Sequence, residues 1–129
     1  MQQQAPAQGN FKPLIVQLIL NKETERALML LAKEYHVETP KIKVGIPKGR
    51  VRIAYGTYNA KDQTICVLDS DVFSNPFVIL HEFYHHLRSK SVDRRHRGTE
   101  KNADKFAVDY IQTYETVVRT AQKKPSSSS

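Results

Sequence analysis

The sequence predicts one α+β domain: a small antiparallel or mixed three-stranded sheet packed with an N-terminal helix, a buried central helix and a C-terminal helix. Three observations carry this. Apolar residues recur at helical spacing near residues 22–36 and again over 99–120. Three short runs between residues 42 and 68 alternate or concentrate β-branched residues and are separated by turn chemistry. A further helical stretch, apolar nearly all round, follows a proline at position 76.

The chain has 129 residues, of which 40% are hydrophobic, which suits one core rather than two. Residues 1–10 and 122–129 lack periodic apolar pattern and read as tails, leaving residues 11–121 as the folded domain. Residues 11–20 fit either a helix or a short strand. Asn21 suits the N-cap of the helix over residues 22–36, whose stripe is Ala27, Leu28, Leu30, Leu31 and Tyr35. The β runs are Ile42–Ile46, Val51–Tyr55 and Ile65–Leu68, read as a meander joined by hairpins, with turns at Pro47–Arg50 and Asn59–Asp62. Asn75 and Pro76 are a natural N-cap and first helical residue for the next helix. The last helix presents Ala103, Phe106, Ala107, Tyr110, Ile111, Tyr114 and Val118 on one side.

Lysine and arginine outnumber acidic residues 20 to 13, giving a net charge of +7. That excess favours acidic partners and is equally compatible with an ordinary basic surface. Cys66 is the lone cysteine, so no intrachain disulfide forms, and its apolar setting reads as a buried thiol. No apolar run is long enough to span a bilayer and no signal-peptide pattern opens the chain, so a cytoplasmic protein without membrane contact is expected.

The chemistry concentrates in His81-Glu82-Phe83-Tyr84-His85. On a helix, residues i and i+4 share a face, so His81 and His85 can both reach one metal ion. Glu82 lies beside that face and can act as general base, taking a proton from water activated by zinc. Ordinary residue frequencies produce this five-residue pattern in roughly a few per thousand chains of this size. Two histidines and a glutamate on an otherwise apolar helix also call for a reason, since unpaired polar groups there are costly. A catalytic zinc site takes three protein ligands and keeps one position open. Among Glu100, His96 and His86, Glu100 is the best placed third ligand, because it opens the next helix. Asp104, one turn further on, can accept a hydrogen bond from a ligand imidazole, and Ala103 allows close helix approach.

His-Glu-x-x-His followed by a helix bearing Glu-x-x-x-Asp resembles the gluzincin signature. The run Glu100-Lys101-Asn102-Ala103-Asp104, then Phe106-Ala107, is similar to compact members of that clan, such as minigluzincins and the ImmA/IrrE-type regulatory metallopeptidases. The resemblance covers about residues 51–112. It implies a zinc metallopeptidase with one Zn2+ held by His81, His85 and Glu100. It also implies a small sheet above the active-site helix, with the strand before that helix as the cleft edge that pairs with extended substrate, a role that falls on Ile65, Cys66, Val67 and Leu68. Gly56-Thr57-Tyr58 resembles the upstream strand of those families. The metzincin pattern departs here, since position 91 is Ser rather than His. Tyr58, Tyr84, His86, His96 and Tyr110 are all open as stabilisers of the transition state.

Basic residues cluster over 88–101, including Arg88, Lys90, Arg94, Arg95, Arg97 and Lys101. They suit an acidic substrate or DNA beside the cleft, or a solvated loop. Alternatives to an active peptidase are a regulatory domain acting on DNA-associated proteins and a non-catalytic, zinc-stabilised binding module.

Overall fold

The structure is a computed structural model that describes residues 10–46, 55–90 and 100–123. Two helices open the chain, α1 (Phe11–Leu20) and α2 (Thr24–Tyr35). Strands β1 (Lys41–Val44), β2 (Gly56–Asn59) and β3 (Thr64–Val67) follow. The short α3 (Ser70–Phe73) leads to α4 (Pro76–Ser89) and the long α5 (Glu100–Lys123). The α+β expectation holds, and residues 11–20 resolve as a helix. Ile15, Val16 and Ile19 on one face of α1 are all but fully buried in the core shared with α4 and α5.

Asn21 ends α1 rather than starting α2. Its N–H donates to the Gln17 carbonyl at 2.9 Å, Lys22 turns left-handed at φ 66°, and the Glu23 N–H closes back on the Leu18 carbonyl at 2.8 Å. This is the helix-end pattern usually served by glycine. His36 does the same for α2 at φ 58°, with the Val37 N–H on the Ala32 carbonyl at 2.9 Å. Asn75 caps α4 as expected, its Oδ1 accepting from Phe77 and Val78 N–H at 3.0 and 3.3 Å. The sequence reading missed α3, which Asp69 caps by accepting from the N–H groups of Asp71 and Val72.

The sheet is mixed, and its order is β1-β3-β2, not a meander. β3 runs parallel to β1, with Ile42 opposite Ile65, and antiparallel to β2, with Tyr58 opposite Ile65. Among the described residues, the hairpin is the β2–β3 connection, with the Lys61 N–H on Asn59 Oδ1 at 2.9 Å. Most of the expected strand over 51–55 lies outside the described residues, as do residues 1–9 and 124–129. β3 is buried along its whole length, and Ile65 and Val67 reach zero exposure beneath α4.

α4 is the central helix. It buries Ile79, Leu80 and Phe83 completely. Ala103 and Ala107 on α5, also fully buried, let that helix lie close against it. This packing brings the first turn of α5 to the exposed face of α4. Among the described residues, no helix is long and apolar enough to cross a membrane.

Candidate metal centre

His81 and His85 stand one turn apart on α4, with ring centroids 5.1 Å apart. Both are partly covered, their side chains keeping 13% and 22% of their exposure. Glu100, the first residue of α5, reaches both rings: Oε1 is 2.7 Å from His81 Nε2 and Oε2 is 3.3 Å from His85 Nε2. The three donor groups lie within 4.8 Å of one another and are positioned to hold a metal ion.

Asp104 sits where the sequence suggested. Its Oδ1 is 2.9 Å from His81 Nδ1. A carboxylate can only accept there, so the Nδ1 proton points to Asp104 and the Nε2 lone pair faces Glu100. Two acceptors then oppose each other across 2.7 Å. A cation between them, whether a proton or a metal ion, makes that geometry favourable. Burial pushes the His85 pKa below its ordinary value against the pull of the Glu100 carboxylate, which favours the neutral ring that a metal needs.

Glu82 is only 7% exposed. Burial raises its pKa from 4.5 to about 7; His81 opposes the rise and Glu100 adds to it. A carboxyl with a pKa near neutrality, next to the ligand face, is suited to receive and return a proton. The sequence assigns two further neighbours, Phe77 and Gly56, no part in the site. Phe77, four residues before His81 on the same helix face, sets its ring 6.0 Å from the His81 ring. Gly56 on β2 lies directly against Glu82: a Cβ there would meet Glu82 Cγ at 3.4 Å. The i−4 spacing could have flagged Phe77. Gly56 carried no local signal of its neighbour.

The expectation that Ile65, Cys66, Val67 and Leu68 form a free cleft edge is corrected. β3 is the middle strand, bonded to β1 on one side and β2 on the other, so residues 65–67 have no open backbone edge. Leu68, 46% exposed, uses its N–H on the Tyr55 carbonyl at 2.8 Å. Among the described residues no strand pairs with the outer edge of β2, and Gly56 of β2 lies against Glu82.

Several stabiliser candidates are engaged elsewhere. Tyr58 donates to His86 Nδ1 at 2.7 Å, and His86 Nε2–H donates to the Glu38 carbonyl at 2.7 Å, so this fully buried ring is satisfied at both nitrogens. Tyr110 shares a 2.7 Å hydrogen bond with Tyr35 inside the core. Tyr84, 6% exposed, packs on Phe106 with ring centroids 5.6 Å apart. His96 and residues 91–99 of the basic segment lie outside the described residues. The chain matches no protein-family profile, no curated protein and no solved structure.

Proposed function

We propose that the chain is a zinc-dependent peptidase of the gluzincin type. The observation that carries this is the convergence of His81, His85 and Glu100 on one point, with Asp104 behind His81 and the buried Glu82 carboxyl alongside. Two imidazoles and one carboxylate are the ligand set of many hydrolytic zinc sites, and they leave a position open. Zinc, when bound, supplies a Lewis acid that acidifies water and polarises a carbonyl. The protein supplies the rest. Asp104 fixes the His81 ring and its tautomer. Glu82 takes the proton from the attacking water and returns it to the leaving nitrogen, so that the amine departs neutral. No covalent link to the enzyme is required. The outer edge of β2, unpaired among the described residues, offers backbone N–H and C=O groups to an extended peptide beside Glu82.

The test is a comparison of the wild type with Glu82→Gln, both reconstituted with zinc and assayed on fluorescein-labelled casein. About one zinc per chain in both proteins is expected, with hydrolysis reduced by about 10²- to 10⁴-fold in the variant. Equal turnover in the two proteins would refute the role of Glu82. Bound zinc without turnover in the wild type would favour the binding-module alternative.

A further inference from the structure

β2 rests on α4 through two residues that point the same way and differ greatly in size. Tyr58 stands over the C-terminal half of the helix, its hydroxyl 2.7 Å from His86 Nδ1 and 3.3 Å from Ser89 Oγ. Gly56 lies over Val78 and Glu82, one to two turns earlier. Strand and helix therefore run in the same direction. The strand is held off by a phenol ring at one end and touches the helix with bare backbone at the other. Gly56 does not have a positive φ, so its requirement is for space and not for backbone freedom. A Cβ built there would lie 2.7 Å from Val78 Cγ1, 3.4 Å from the Cys66 carbonyl oxygen and 3.4 Å from Glu82 Cγ. Carbon atoms in contact sit at about 3.5–4.0 Å, so even one methyl group would lift this end of β2 by about 1 Å or displace Val78.

We propose that Gly56 is a positioning residue, whose missing side chain seats the edge strand β2 on α4 at the one height that aligns a peptide on that strand with the Glu82 carboxylate. This deepens the peptidase reading and rests on it for its catalytic meaning. Gly56, like Tyr58, supplies backbone to the outer edge of β2, but its missing side chain faces α4 and touches neither substrate nor metal. It acts through where β2 lies, and Tyr58 fixes the other end. An alanine at position 56 should therefore spare the metal ligands, which come from α4 and α5, and misplace the scissile bond relative to the base.

The experiment uses four full-length proteins: wild type, Gly56→Ala, Val78→Ala and the double variant, each loaded with zinc. Removing the Val78 methyl groups opens the space that the new Cβ needs. On labelled casein, Gly56→Ala is expected to lower kcat by about 10- to 100-fold with KM within about twofold, as a displacement near 1 Å does. Zinc stays near one per chain. The double variant is expected to return to within about threefold of Val78→Ala, a rescue that misplacement predicts and general loss of stability does not. Wild-type kcat in Gly56→Ala, or a double variant no better than Gly56→Ala, overturns the proposal. If Gly56→Ala alone does not fold, the double variant against Val78→Ala decides, and failure of Val78→Ala to rescue overturns it. Amide hydrogen exchange over residues 56–59 separates this from failure of the peptidase reading. Should zinc-loaded wild type not cleave casein, that reading falls. The seating by Gly56 is still supported by faster exchange in Gly56→Ala that the double variant reverses, and overturned by unchanged exchange.

Discussion

Glu82→Gln should make the metal-free protein more stable, and by an amount that depends on pH in a defined way. Glu82 is 7% exposed, and burial raises its pKa from 4.5 to about 7. Each pKa unit corresponds to about 1.4 kcal/mol, so ionising this carboxyl in the fold costs about 3 kcal/mol more than in the unfolded chain. The sign follows from the proton inventory. Below pH 4.5 the group is protonated in both states and contributes no slope. Between 4.5 and about 7 the folded protein keeps a proton that the unfolded chain has released, so stability falls as pH rises. Above about 7 both states are ionised and the full cost is present. Glutamine has nearly the same shape and no such slope. The gain of Glu82→Gln over wild type should thus be near zero at pH 4, grow through pH 5–7 and level off at about 3 kcal/mol near pH 8. Urea unfolding followed by circular dichroism in excess chelator, at pH 4 to 8.5, measures it. A difference that is flat with pH, or a variant less stable at pH 8, would refute the claim that this carboxyl is held in the fold at a desolvation cost.

Two other perturbations probe the supports of the site. Asp104→Asn should weaken zinc binding by about 10- to 100-fold in a chelator competition, because the His81 ring loses its carboxylate partner. The far-ultraviolet circular dichroism should not change, since Asp104 lies on the exposed side of α5. Tyr58→Phe should cost about 1–3 kcal/mol in urea unfolding, because His86 Nδ1 is left buried without its donor. Its zinc content should stay that of wild type, since neither Tyr58 nor His86 is among the three ligand groups.

Much of the site was legible because its central part is local. A helix places residues four apart on one face whatever surrounds it, so His81 and His85 converge as soon as α4 forms. Asn75 and Pro76 announce where that helix begins. Glu100 and Asp104 were also readable as one turn of a following helix. Their arrival at His81 and His85 depends on α5 packing on α4 through Ala103 and Ala107, for which small residues were the available hint. Helix ends were less legible. Lys22 and His36 take left-handed positions that usually mark themselves with glycine, so Asn21 was read as a start when it is a stop.

By itself, then, the sequence determined α2, α4 and α5 and the face that carries His81 and His85, and it named Glu82 as the candidate base, all of which follow from spacing along one element. Only the tertiary structure decided the strand order. An alternating apolar run states which face of a strand is buried, and it does not state which strand becomes its neighbour. The gluzincin resemblance assigns the edge to β3, the strand before the helical segment. The parallel pairing of β1 with β3 moves it to the centre and, among the described residues, leaves β2 at the edge. Packing of β2 on α4 brings Gly56 against Glu82, 26 positions away in the chain. Contacts at that separation are set by how layers pack, which no local pattern encodes.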